Sequence, residues 1–147
     1  MAIRKVRVIG DEILGKVCKP VKEMTPRTRE LIEDMFETMY EENGVGLAAS
    51  QVGVLRQIVT IDVEDGNQYV LINPEILETS GEQTGYEGCL SVPGKTGIVT
   101  RPDRVRVRAL NEEMEPYELV GEGLLARAIC HECDHLEGKL YVSMVEG

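Results

Sequence analysis

The sequence predicts an α+β fold in which antiparallel β-sheets pack around a C-terminal helix, with a second helix near the N-terminus. Three observations lead there. Apolar residues recur at helical spacing over Arg27 to Glu42 and again over Leu124 to Glu137. Several short strand-like runs lie between these two segments. The closing helix carries His131-Glu132-Cys133-Asp134-His135, an HExxH spacing.

The elements follow in order. Arg4 to Ile9 alternates basic and apolar residues and reads as a short strand or an extended arm; Asp11 to Lys16 reads as a helical turn. Thr25 caps the first helix and Pro26 suits its first position. Leu31, Ile32, Met35, Phe36, Met39 and Tyr40 form one buried stripe along it, and Asn43-Gly44 stops it. Gly44 to Gln51 is small, apolar and punctuated by glycine. Strands are predicted over Gln57 to Val63 and, after the turn Asp65-Gly66-Asn67, over Gln68 to Ile72, where Asn73-Pro74 ends the run. Glu87 to Pro93 is a compact Gly/Cys/Pro segment. Arg104 to Arg108 alternates Arg with Val105 and Val107, the period of a half-buried strand, and Tyr117 to Val120 is another. Gly121-Glu122-Gly123 opens the last helix, Gly138 closes it, and Lys139 to Met144 is predicted as a short strand.

Composition bounds the function. A chain of 147 residues with no repeat or linker fits one domain, 1–147, with a real core. One Phe and no Trp make that core aliphatic. A net charge of -10 argues against a general nucleic-acid binder. Basic residues do gather at Arg4, Lys5, Arg7, Lys16 and Lys19, and at Arg101, Arg104, Arg106 and Arg108, as candidate local patches; for most of them solvated strand faces are the expected reading. No membrane span or signal-peptide core is visible, so a cytoplasmic location without membrane partners is expected. The four cysteines then read as thiols or ligands, not as a disulfide framework.

His131 and His135 are the only histidines and, four residues apart, share one helix face, so both can reach one ion. Glu132 lies about 80° around the helix from their mean direction, beside the ion and not on it. Two histidines rarely hold a catalytic ion alone. The pattern HExxHxxGxxH holds as far as Gly138, but Tyr141 stands where a third histidine would be. Downstream, Glu137 is too close on the same helix and Glu146 is nearly terminal, so the missing ligand is sought upstream. There Cys89 stands out, flanked by Gly88 and offering a soft thiolate. Cys130 and Cys133 point about 120° and 180° away from the histidine face and read as core cysteines. At this point the site fits a small zinc peptidase or a non-catalytic metal or peptide-binding module as well as another hydrolase.

Gly44-Val45-Gly46-Leu47-Ala48-Ala49-Ser50-Gln51, Glu87-Gly88-Cys89-Leu90-Ser91 and the HExxH segment, in this order, resemble the three signature motifs of the peptide deformylases. The resemblance covers nearly the whole chain. It implies a metal-dependent hydrolase that removes the N-formyl group from the formylmethionine opening newly made bacterial polypeptides, releasing formate. It implies Cys89, His131 and His135 as metal ligands, with Fe2+ the physiological ion and Zn2+, Ni2+ or Co2+ able to substitute. Glu132 would be the general base. The Gln51 amide and the Leu90 N–H would stabilise charge on the formyl oxygen. Val45, Gly46, Leu124 and Ala128 would contact the substrate. Arg101 and Asp134 would stand behind the ligands, with Glu87 bracing the cysteine loop through Arg101. The partners implied are formylmethionyl nascent peptides and a transient contact with the ribosome. The long C-terminal helix by which many family members dock there is not in this sequence. Cys130 and Cys133 stand where the family commonly has glutamine and an aliphatic residue, and two extra thiols add sites for oxidation.

Overall fold

A computed structural model describes residues 2–145. Helix α1 (Pro26–Glu41) begins where the sequence places it: Thr25 accepts from the Thr28 N–H at 3.1 Å, and Pro26 fills the first turn. Helix α2 (Leu124–Leu136) closes the molecule. Seven strands lie between them: β1 (Gly46–Ala48), β2 (Ile58–Ile61), β3 (Tyr69–Ser80), β4 (Gln83–Cys89), β5 (Val92–Arg101), β6 (Arg104–Leu110) and β7 (Pro116–Glu122). β1-β2-β3-β6-β7 form one antiparallel sheet and β4-β5 a separate hairpin. The α+β expectation is met.

The pleat of the five-stranded sheet sorts its side chains between the two helices. Val59, Ile61, Leu71, Val105, Val107 and Ala109 face α2 and pack on Leu125, Ala126 and Ile129. Ile58, Val70 and Ile72 pack instead with Leu31, Ile32, Met35 and Met39 of α1. β2 is therefore buried on both sides, which explains its unbroken apolar run. β6 turns Arg104, Arg106 and Arg108 outward, where they meet Glu122, Glu78 with Glu118, and Glu75. Those arginines are a solvated strand face, as expected.

Four expectations are corrected. β3 runs on to Ser80 instead of ending at Asn73-Pro74: Asn73 takes φ 52, its side chain bonds both the N–H and the carbonyl of Val21, and the ladder with β6 shifts register between Ile72 and Glu75. A bulge thus absorbs the proline, which has no N–H to give. Glu87 to Pro93 is no isolated segment but the end of a hairpin whose strands carry Gly85, Gly88, Gly94 and Gly97, too polar and glycine-rich to read as strand. Lys139 to Met144 forms a 3-10 turn at Tyr141–Met144, because only Tyr141 is buried there and no strand alternation is satisfied. Tyr40 leaves the buried stripe of α1 and is exposed, bonding Asp62 through its hydroxyl, while Asp34 and Thr38 are buried to receive the N-terminal arm. That arm, Arg4 to Ile9, carries no strand, joins no sheet and ends in a turn at Ile9.

Gly138 ends α2 in the left-handed region (φ +78); its N–H bonds the His135 carbonyl and the Lys139 N–H bonds the Asp134 carbonyl, a Schellman ending. A Cβ there would sit 2.5 Å from the Gly15 carbonyl oxygen. Gly66 (φ +91) faces open space. Gly138→Ala should therefore lose at least about 2 kcal/mol, and Gly66→Ala only about 1 kcal/mol, the left-handed penalty alone. Urea midpoints of both variants measure the difference, and equal losses would mean the Gly15 contact yields freely.

Candidate metal centre

Three elements converge on one cleft of about 470 Å³. Gly44, Val45, Gly46 and Gln51 form one wall, and the hairpin from Tyr86 to Lys95 forms the other. Leu124, Ala128, His131 and Glu132 of α2 make the floor. The N-terminal arm straps the walls from behind: the Arg7 N–H bonds the Gln51 carbonyl and the Ile9 N–H the Ser91 carbonyl, each at 2.7 Å.

At the deep end, the Cys89 Sγ and one nitrogen each of His131 and His135 lie within 4.8 Å of one another, the one such group of donors among the described residues. Cys89 Sγ is 3.2 Å from His135 Nε2. His131 and His135 are both buried, with ring centroids 5.0 Å apart. Donors sharing one tetrahedral ion at the usual bond lengths stand about 3.3–3.8 Å apart, so the cluster is the right size.

Glu87 orders this cluster. Its Oε1 is 2.5 Å from His131 Nδ1, which leaves His131 Nε2 for a ligand. Arg101 donates to both Glu87 oxygens at 3.1 and 2.6 Å and to Asp134 at 2.8 Å. Arg127 donates to Glu87 Oε2 at 2.7 Å. Burial alone would raise the Glu87 pKa, but the His131 and Arg101 hydrogen bonds outweigh it and hold the carboxyl at about 2. The expected bracing of the cysteine loop by Glu87 and Arg101 is present. Arg127 stands one turn before His131 on α2, and that spacing is the sequence signal for its place on Glu87.

Burial opposes charge on His131, yet Glu132, Cys89 and Glu87 surround it and raise its pKa to about 10. Burial and the charges on His131 and Arg101 push His135 down to about 3. The pocket accommodates one compact positive charge among anionic neighbours, and the thiolate and imidazole donors fit a divalent transition metal. Cys130 and Cys133 stay outside. Both pack into the α2 side of the core, and burial raises Cys130 to about 11 and Cys133 further.

Glu132 stands beside the cluster. Its Oε1 is buried without a hydrogen-bond partner among the described residues, and burial lifts its pKa to about 7. Gly46 makes room for it: a Cβ there would lie 2.7 Å from Glu132 Oε2. Gln51 is buried too. Its Oε1 accepts from the Ala48 N–H at 2.9 Å, which turns Nε2 toward Ser91 Oγ at 3.0 Å and Cys89 Sγ at 3.6 Å. Leu90, Val45 and Leu124 line the cleft at partial or full exposure, with Ala128 buried on its floor. The Val45 carbonyl already accepts from the Asp62 N–H at 2.9 Å, which narrows what it offers a peptide. Ser91 closes the cysteine motif in the sequence, but its bond to Gln51 joins segments 40 residues apart and has no local signal.

A soft-donor cluster beside an unpartnered buried glutamate on an HExxH helix is the arrangement of a metal-dependent hydrolase. The polypeptide deformylase family profile matches residues 3–147. A peptide deformylase of Agathobacter rectalis is 64% identical over 147 residues, all of this chain and 92% of that protein. Crystal structures of the Legionella pneumophila and Thermotoga maritima peptide deformylases both superpose with TM-score 0.95. Their identities are 46% and 40%, covering 98% and 99% of this chain and 86% and 99% of theirs. The chain belongs to the polypeptide deformylase family and is a metallo-hydrolase of nascent formylated peptides.

Gly46→Ala should fold normally yet force the Glu132 carboxylate aside, and a shift of that size costs about 10²-fold in turnover. Formate release with a circular dichroism control checks this; near-wild-type turnover would show that the contact does not set the Glu132 position.

Proposed function

We propose that this chain acts as a single catalytic domain that deformylates the N-terminal formylmethionine of nascent peptides through Cys89, His131, His135, Glu132, Gln51 and Leu90. The observation that carries the assignment is the meeting of Cys89 with both histidines beside Glu132, whose Oε1 has no hydrogen-bond partner among the described residues. An ion held by the cysteine and the two histidines would supply Lewis acidity and a more acidic water. Glu132, near neutrality in its buried setting, takes a proton from the attacking water at its carboxylate and returns it to the leaving amine. Gln51 is pre-oriented by the Ala48 N–H, so its amide donates to the formyl oxygen as charge grows there, with the Leu90 N–H as second donor. Val45, Gly46, Leu124 and Ala128 receive the methionine and its main chain.

The finer assignments belong to the same proposal. Ferrous iron is the physiological ion, and zinc, nickel or cobalt also suit a Cys/His/His set. The enzyme works in the bacterial cytoplasm on chains leaving the ribosome, with transient ribosome contact. No described helix is long and apolar enough to cross a membrane.

Anaerobically iron-loaded protein should release formate from a formyl-Met-peptide and leave internal peptide bonds intact; internal cleavage without formate would overturn the reading. Glu132→Ala should keep its metal and lose about 10³-fold in turnover. Cys89→Ala should lose the metal in a chelator titration, while Cys130→Ala and Cys133→Ala retain it. The reverse pattern would move the site to the cysteine pair.

A further inference from the structure

Tyr141 interrupts the three-histidine spacing in the sequence, and in the structure it lies beside the site all the same. We infer that Tyr141 is a positioning residue that clamps the β4-β5 hairpin onto α2, setting where Cys89 and the cleft wall stand relative to the two histidines. The inference rests on the deformylase reading above for what the clamp serves.

Three contacts carry it. The ring is 2% exposed, and its centroid lies 5.9 Å from that of His131 at an interplanar angle of 31°. It packs with Val92 and Val99 of β5, and Cys89 of β4 lies against the same cluster. One ring thus touches the strand that carries the cysteine and a histidine on the helix. The Tyr141 hydroxyl donates to the Lys95 carbonyl at 3.1 Å, on the stretch of hairpin that lines the cleft. A second hold follows two residues along β5: Gly97 leaves space that Val145 occupies, and a Cβ there would come within 2.5 Å of the valine side chain.

A phenylalanine would fill the same volume, so packing alone does not call for the hydroxyl. The hairpin needs the tie because its two strands pair only with each other, and an isolated two-stranded ribbon is marginal in water. From the cleft side, Glu87 holds His131 through Nδ1; from the opposite chain direction, Tyr141 packs on the ring. Removing the hydroxyl should loosen the cleft wall and leave the ligands in place. Removing the ring should loosen a ligand.

The test compares Tyr141→Phe and Tyr141→Leu in the full metal-loaded chain. Tyr141→Phe should keep its metal. Amide hydrogen exchange over residues 92–97 should speed up about fivefold, the worth of one hydrogen bond. KM for a formyl-Met tripeptide should rise by a similar factor, with kcat moving less than about twofold. Tyr141→Leu should surrender its metal to a chelator about 10- to 100-fold faster. Unchanged hairpin exchange and KM in Tyr141→Phe would overturn the tie. A Tyr141→Leu variant that merely melts earlier, with metal release unchanged, would reduce Tyr141 to core filling. If Tyr141→Leu does not fold, the Tyr141→Phe exchange result decides. A wild-type chain that yields no formate would sink the deformylase reading, while the exchange and chelator measurements still judge the clamp.

Discussion

Glu87 sits at the end of β4 with its carboxylate buried, and three cationic or proton-donating side chains reach it from elsewhere: Arg101 from β5, and Arg127 and His131 from α2. Taking a carboxylate out of water costs several kcal/mol, and only partners with good geometry offset it. That constraint joins the hairpin to the helix. The hairpin pairs with no other strand, so its height above α2 is set by this polar junction together with the Arg127 bond to the Val99 carbonyl and the Tyr141 contacts. Cys89 is two residues beyond Glu87 and His131 is bonded to it, so one carboxylate places a donor on each element.

The site also depends on absent side chains. Gly46 lets β1 pass directly over Glu132, and Gly97 lets the Val145 side chain lie against β5. In both places a methyl group would meet a functional or clamping side chain within 3 Å. The glycines make the hairpin hard to read as strand in the sequence, and they are also what allows three elements to approach so closely. Polar groups around this close approach are mostly saturated by protein partners. Four buried side-chain atoms among the described residues have no hydrogen-bond partner: Glu132 Oε1 and His135 Nδ1 on α2, Ser50 Oγ beside Gln51, and Glu37 Oε2 on α1.

Charge is arranged on the same principle of local pairing. The arginines of β6 and the pair on Glu87 all have carboxylate partners, so in a chain of net charge -10 these cations are neutralised at short range. The outward arginines contribute little, since exposed pairs are worth at most about 1 kcal/mol. The buried ones act through geometry.

The sequence by itself determined the two helices, because helical periodicity and the caps at Thr25 and Gly138 are local properties of the chain. It also determined that His131 and His135 share a face with Glu132 beside them, since four residues make about one helical turn. From the sequence, Cys89 could be named only as a ligand in search of a site. Tertiary structure decided that Cys89 meets those histidines, that Arg127 joins Arg101 on Glu87, that Gln51 turns its amide toward Ser91, and that Tyr141 packs under the hairpin. It also carried β3 through Asn73-Pro74 by a bulge and turned the predicted last strand into a 3-10 turn. Each of these joins residues some 40 to 52 positions apart, or depends on which face another element leaves open. Periodicity reports only the environment one segment faces; the identity of the partner across a buried contact is set when the elements pack.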